Sequence, residues 1–422
     1  MKIRFNVVQY LDDVILFFYF VALLGFMPTA NVTDRYVWLL SSVSLILRSL
    51  YNLIFKTSVV RIDNSFIWYL TIVAYGAVSC LWAVNMNNFI EYLIFNFSVI
   101  VCSVLCVSTF VDKCGKVDRI LFLFIIAGLI SAIRYCYYSP WEQFIDSGTY
   151  IRGSFGIKID DGTTNYNNYT SLVCLTGVLA AYYGIVKKIK WCQIVLLVLF
   201  FITIYGGSRK TIVVLPIISF YFLCLETSYR NLFRNILAFW VMVSLSVILI
   251  GTISEFESLK LAVDGMVKGF LDSDVNLNTL DESTLERLIL ITQAKEIWYE
   301  HFACGIGWDN FRLYSIRNVV AHNNYYEVLA SLGFIGFVIF YSYYFYILFK
   351  ENMKKCSCTN YVYIQKGLVL CSLFLGIGSC EVYSRERMII FLVLMLLVDF
   401  ADSKKVFSIR FNRLFSRTSV RR

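Results

Sequence analysis

The chain has 422 residues, 59% of them hydrophobic, only three prolines and a formal net charge of +9. Its mean hydropathy of +0.67 lies above that of a soluble globular chain, which is nearer half apolar, and points to the bilayer. A basic balance would ordinarily raise nucleic acid as a partner, but here the lysines and arginines fall in short loops between apolar runs, where they report membrane topology. Aromatic residues make up 17% of the chain, with 29 tyrosines, which suits two aromatic-rich interfaces.

In chain order, the first apolar run follows Asp12 and Asp13 and has no small-residue cleavage site after it. It therefore reads as a spanning helix and not as a cleaved signal peptide. Runs of about twenty apolar residues, enough to cross a bilayer, then recur. They predict helices near 13–30, 36–55, 65–84, 88–110, 117–138, 166–186, 191–205, 210–227, 232–252, 323–349, 361–380 and 386–401. The expected fold is all-α: a single polytopic membrane domain over residues 1–422 with about 12 transmembrane helices. No internal repeat and no inverted pair of broken helices is evident.

Twelve helices put both termini on one side, and the positive-inside rule makes that side cytoplasmic. The inner loops then hold Lys56 and Arg61; Lys113, Lys116 and Arg119; Lys187, Lys188 and Lys190; Arg230 and Arg234; and Lys350, Lys354 and Lys355. The basic tail follows on the same side. No shift of register does as well. Two external segments, 139–165 and 253–321, are long enough to suggest function. The second, between the ninth and tenth helices, carries helices of its own. Phe256, Leu259, Val263, Met266, Val267 and Phe270 have amphipathic spacing. A second helix starts at a capping-box pattern from Ser283 to Glu286 and runs to about Phe302.

Cys102, Cys106, Cys174 and Cys371 lie inside apolar runs and act as small core residues. Cys356 and Cys358 form a short pair in a basic loop. Zinc sites use wider spacing and more ligands, so no metal site is expected there.

Four external places carry polar chemistry beside the membrane. They are RGSFG with Arg152, followed by NYNNYTSL with Asn167 and Asn168; GGSRKT with Arg209 and Lys210; the capped helix with Arg287; and AHNNYYEVLASLGFIGF with His322, Asn323 and Glu327. Three of them open helices that enter from outside. Free N–H groups and the positive dipole end there favour phosphate and other anions. For Ser208 and Asn324 the plainer role is helix capping, with Glu327 completing a box on Asn324. Arg209 is less easily dismissed: it opposes the dipole and breaks the positive-inside pattern, so it calls for an anionic partner, the alternative being a lipid headgroup. Arg287 shares a helical face with Leu290, Ile291, Ala294 and Trp298, and so points toward core or membrane, the alternative being snorkelling. Arg48 reads as snorkelling only. Of the two histidines, His301 ends an amphipathic helix and faces solvent. His322 precedes a helix N-terminus, where the dipole favours the neutral ring, a form that can accept a proton.

The stretch from Glu286 to Phe337 resembles the O-antigen polymerase and ligase superfamily, of the Wzy and WaaL type. Arg287, Trp298, Gly305, Gly307, His322, Asn323, Tyr325, Glu327, Leu329, Gly333 and Gly336 fall in order on the superfamily's pattern. That pattern is an arginine, a tryptophan-bearing helix, a glycine–aliphatic–glycine turn, then H-N-x-Y-x-E-x-L and a glycine-rich helix start. GGSRKT looks like its small–Ser–Arg motif, and RGSFG with NNY more loosely like an earlier arginine–asparagine segment. The proline usual before the glycine turn is replaced by HFAC. The first five helices match in hydropathy alone.

The resemblance implies transfer of a glycan from a polyprenyl-pyrophosphate-linked donor to a hydroxyl of another glycan, in the cytoplasmic membrane with the site facing outward. Arg209, Arg287 and Arg152 would neutralise the leaving diphosphate, since guanidinium matches phosphate oxygens in a fork. His322 would be the general base. Lys210, Asn167, Asn168, Asn323, Tyr325 and Glu327 would bind substrate. No cofactor and no metal is expected, and direct displacement would invert the anomeric centre. The expected partners are the lipid-linked oligosaccharide, membrane lipid, and a chain-length regulator and flippase. Polymerase is preferred to ligase because one lipid type fills both sites and no acceptor-recruiting domain is visible. The rival from another class is a flippase or ion-coupled carrier, for which Glu91 is the main intrahelical acid. A sensor would need an output domain that the short cytoplasmic segments lack.

Overall fold

The computed structural model of the protein describes residues 7–26, 32–55, 59–111, 117–138, 158–159, 162–163, 166–205, 209–226, 282–350, 361–402 and 407–409. The long helices are α1 (Val7–Gly25), α2 (Val32–Phe55), α3 (Asn64–Ser79), α4 (Asn87–Ser108) and α5 (Val117–Tyr138). They continue with α6 (Tyr166–Ala181, extended by a π turn over Tyr182–Val186), α7 (Lys190–Tyr205), α8 (Arg209–Glu226) and α9 (Glu282–Glu300). After the single turn α10 (Phe311–Tyr314) come α11 (Asn324–Phe349), α12 (Tyr361–Gly376) and α13 (Arg385–Asp402). Eleven of the twelve predicted segments overlap described helices, most of them to within a few residues, while the first, expected at 13–30, is found earlier at Val7–Gly25. The other, 232–252, and the amphipathic segment 256–270 lie outside the described residues.

Five helices, Val32–Phe55, Asn87–Ser108, Val117–Tyr137, Tyr169–Val186 and Asn324–Phe349, are long and apolar enough to cross a membrane. Packing separates helices that hydropathy cannot. Val32–Phe55 and Tyr169–Val186 share a hydropathy of 1.5, yet their apolar windows are 22% and 89% buried. The first therefore turns Leu39, Leu40, Leu47 and Ile54 outward, while the second lies among α5, α7, α8 and α12. The last helix, α13, is buried continuously from Met388 to Val398 and packs on α3, α4, α5 and α12. In lipid such association rests on close packing and polar links more than on removal of apolar surface from water. Gly177, on which a Cβ would lie 2.4 Å from Leu215, is one such close approach.

The helix ends sort into two groups. At one end a short strand β1 (Val60–Ile62) pairs antiparallel with a strand in the tail (Phe407–Ile409). Arg61 donates to the Val111 carbonyl and covers the Phe400 ring, while Lys350 meets Asp399 and Gln365. At the other end the turn after α3 joins the segment after α9. Asn310 and Asn85 exchange hydrogen bonds of 2.9 and 3.1 Å, the Trp308 N–H donates to Ser79 Oγ at 3.0 Å, and the Asp309 N–H donates to the Tyr383 hydroxyl at 3.1 Å. The segments that charge assigns to one side of the membrane thus meet one another.

Three local expectations need correction. Residues 323–349 were expected as one helix, but α11 breaks at Gly333 (φ 68°, ψ −171°). The broken turn is completed by the segment after α9. The Ile306 and Gly307 N–H groups donate to the Ala330 and Ser331 carbonyls at 3.0 and 2.8 Å, and the Phe334 and Ile335 N–H groups to the Phe302 and Ala303 carbonyls at 2.8 and 3.1 Å. Backbone meets backbone so closely that a Cβ at Gly305 would lie 2.5 Å from Gly333 N, and one at Gly333 2.4 Å from the Ala303 oxygen. This is why the turn and the helix start are rich in glycine. Second, the cap of α11 is Asn323, whose Oδ1 accepts from the Tyr325 and Tyr326 N–H groups; Asn324 is already helical. Likewise α9 begins at Glu282, so Ser283 lies inside its first turn and not ahead of it. Third, Arg48 does not simply snorkel, because it donates to Asp12 Oδ1 at 2.7 Å.

Candidate functional site

The break at Gly333 leaves a half-helix, Asn324 to Leu332, whose N-terminus carries His322 and Asn323. His322 itself has φ 54°, in the left-handed region that non-glycine residues enter sparingly and that recurs at functional sites. Helix α9 lies against this half-helix. Leu290 and Ala294 of α9 are buried with Ile306, Phe311, Ala321 and Ala330, and Arg287, three residues before Leu290, is carried on the same side, half-buried. Burial lowers the pKa of the His322 imidazole below its ordinary 6.5; the Arg287 and Lys210 charges act in the same direction and Glu286 opposes them. The ring is thus held neutral at neutral pH by burial and cations, beyond the dipole effect read from sequence.

The neighbouring residues fix this arrangement. Glu327 is fully buried; its oxygens accept from the Ala321 N–H at 2.7 Å and from Ser331 Oγ at 3.1 Å, which fastens the segment leading into His322. Asn323 Nδ2 donates to the Ile377 carbonyl at 3.2 Å. Asn324 Oδ1 accepts from the Glu381 and Val382 N–H groups at 2.8 and 3.0 Å, and its Nδ2 donates to the Tyr341 hydroxyl. Tyr325 stacks on Tyr341 and donates to the Leu373 carbonyl at 2.8 Å. The asparagine pair therefore ties the loop between α12 and α13 to the loop of His322. Glu327, Asn323 and Tyr325, expected as substrate ligands, are hydrogen-bonded to other groups of the protein.

Lys210, in the first turn of α8, reaches the same place and donates to the Gly378 carbonyl at 3.4 Å. Arg209 is the first residue of α8, and Asn167 and Asn168 lie in the first turn of α6; their side chains fall outside the described residues, as does Arg152 entirely. His301 follows the end of α9 and is exposed. Among the described residues no three histidine, cysteine or carboxylate side chains could hold a metal ion together; Cys356 and Cys358 lie outside them.

Two charged residues at this end escaped the sequence reading. Glu381 is 6% exposed and Arg387 5%, with Arg387 Nη1 4.0 Å from Glu381 Oε1 and donating to Ser379 Oγ at 2.7 Å. Burial pushes the Glu381 carboxyl up to about 7, against the pull of Arg387 and Lys210. The available signal was a cluster of charges, GSCEVYSRER, interrupting the last two apolar runs. Glu91, singled out as the main intrahelical acid, is exposed; among the described residues the buried helical acids are Asp34, Glu327 and Asp399.

Residues 194–341 match the family model described as O-antigen ligase. This stretch, less than half of the chain, is similar to that family. A search of curated proteins finds no match. The superfamily match runs from α7 to the middle of α11 and so contains Lys210, Arg287, the broken turn at Gly333 and His322, whereas Glu381 and Arg387 lie beyond it. The apolar helices and the family match together point to a multi-pass membrane protein, and the members of the matched family are membrane glycosyltransferase-like enzymes.

Proposed function

We propose that the chain polymerises oligosaccharide repeat units carried on polyprenyl pyrophosphate, at the external face of the cytoplasmic membrane. The observation that carries this reading is His322, in a left-handed backbone conformation ahead of the half-helix packed against α9, its pKa lowered by burial and by the Arg287 and Lys210 charges, within the matched region. The acceptor hydroxyl oxygen attacks the anomeric carbon of the donor glycan, its proton passes to His322, and the bond to the diphosphate breaks with inversion. The leaving group departs as polyprenyl pyrophosphate. Arg287 and Lys210, with Arg209 at the start of α8, stabilise the charge gathering on it, since fixed cations in a water-poor site need no reorganisation. They supply the neutralisation a metal would give, so the reaction proceeds without one. Arg152, Asn167 and Asn168 would extend the site along the donor. On the charge pattern of the loops, twelve crossings with both termini cytoplasmic would put it on the outer face, where a flippase and a chain-length regulator would be the natural partners.

Transfer to a different lipid or protein acceptor is the second reading, favoured by the description of the matching family. Reconstitution in vesicles separates the two. Given the lipid-linked repeat alone, a polymerase yields longer lipid-linked glycans and free polyprenyl pyrophosphate. A ligase yields product only once a second acceptor is added. Movement of the lipid-linked repeat across the bilayer with no new glycosidic bond would overturn both in favour of a flippase.

A further inference from the structure

Glu327 is a buried carboxylate that the displacement does not use. It sits in the first turn of the half-helix, and its oxygens reach toward both ends of that element. Oε2 turns back to the residue before His322 and accepts from the Ala321 N–H at 2.7 Å. The Cys380 thiol meets the same oxygen across 3.9 Å. Oε1 reaches forward and accepts from Ser331 Oγ at 3.1 Å, and the Ser331 carbonyl in turn takes the Gly307 N–H at the broken turn. On the far side of His322, Asn323 is fixed as the cap of the half-helix. His322 therefore lies between two fastened neighbours, with a φ of 54° that a residue with a side chain keeps only where its surroundings impose it. Ala321, Glu327 and Ser331 are all fully buried, so a donor that lost its acceptor there would find no water in exchange.

We propose that Glu327 is a positioning residue for His322, the clamp that holds the left-handed backbone from which the imidazole meets the acceptor hydroxyl. The inference rests on the proton-acceptor reading above and gives Glu327 no contact with substrate. Its oxygens are already taken by Ala321, Ser331 and Cys380, which leaves the acceptor's proton to His322. Once the Ala321 N–H has no acceptor, the backbone at His322 relaxes out of the left-handed region and the ring leaves its place at the start of the half-helix. A misplacement of about 1 Å can cost about 10²-fold in rate, so a side chain that never touches substrate governs the proton step. What the clamp needs is hydrogen bonding and not charge. A glutamine at 327 would accept from Ala321 through its carbonyl oxygen and donate to Ser331 Oγ through its amide, with the hydroxyl turned to accept. An aspartate, one methylene shorter, would not reach both partners.

The test joins single-turnover release of polyprenyl pyrophosphate in vesicles to hydrogen exchange at the Ala321 amide, both on the full-length protein. Glu327→Ala should slow release about 10²-fold with donor binding close to that of wild type, and should open the Ala321 amide to exchange. Glu327→Gln should recover most of the rate and the protection together. Where Glu327→Ala folds poorly, Glu327→Asp takes its place. In the His322→Ala background the same substitution should cost nothing further, because residues that act through one group are not additive. A further loss in that background would overturn the positioning role, since Glu327 would then act apart from His322. So would a Glu327→Gln variant as slow as Glu327→Ala with its Ala321 amide still protected, for the carboxylate itself would then be required. Release at the wild-type rate by His322→Ala alone would overturn the proton-acceptor reading, while exchange at Ala321 would still report whether Glu327 holds the backbone.

Discussion

Two of the buried charged regions in this bundle are built differently. Where the end of α1 meets the start of α2 and the end of α5, Arg134 meets the fully buried Asp34 at 2.8 Å, also donates to the Gly25 carbonyl, and lies over the Phe26 ring. Each charge there has a close opposite. Around His322 the Arg287 and Lys210 charges act on the ring together, and Glu286 opposes them. The first arrangement is a clasp between helices; the second leaves positive potential for something that arrives. Close pairing marks structure, and cations beside a strained residue mark function.

The comparison is broken most easily by substitution at its centre. His322→Ala should lower transfer about 10²–10⁴-fold, the usual worth of a general base, measured as glycan formed per folded protein in vesicles. Lys210→Met should cost about 10²-fold in the same assay. The double variant Arg134→Met with Asp34→Leu should retain most transfer, because it replaces a clasp by apolar packing; a loss as deep as that of Lys210→Met would erase the distinction between the regions.

Stability should show the reverse pattern. Asp34→Asn leaves Arg134 without its counter-charge and should cost about 3 kcal/mol, seen as a lower thermal midpoint. Gly333→Ala should cost about 3 kcal/mol as well, since a side chain there meets the Ala303 oxygen in a backbone conformation alanine resists.

Acidity gives a smaller and sharper effect. A base must be neutral, and the His322 pKa lies below 6.5, so transfer should be level through neutral pH and decline only as the medium drops below 6.5. A decline beginning above 7 would mean that another group is titrating. The smallest effect belongs to the exposed His301: His301→Ala should leave transfer almost unchanged.

Most of the helices were legible because a spanning helix writes its length in apolar residues. The sequence also singled out Arg287 and His322, and the structure carries one on α9 and the other at the start of the half-helix against which α9 packs. What escaped depended on tertiary contact. The break at Gly333 is stable only because Phe302 to Gly307 supplies its hydrogen bonds, and no local pattern announces a partner 28 residues away. Asn324 was the expected cap; the structure gives the cap to Asn323, and only the loop after α12 shows that Asn324 serves Glu381. Arg48 looked like a snorkelling residue because its partner, Asp12, lies on another helix. Glu381 and Arg387 were missed because only the folded bundle buries them.

The central claim is that His322 takes the acceptor's proton among cations that hold the departing diphosphate. The most direct measurement is single-turnover release of polyprenyl pyrophosphate from a defined lipid-linked repeat by His322→Asn, in vesicles with a confirmed folded fraction. Asparagine keeps hydrogen bonding, tolerates the left-handed backbone at this position, and cannot accept the proton. The account predicts release slowed at least about 10²-fold with donor binding retained. Release at the wild-type rate would contradict it and leave His322 as an orienting residue.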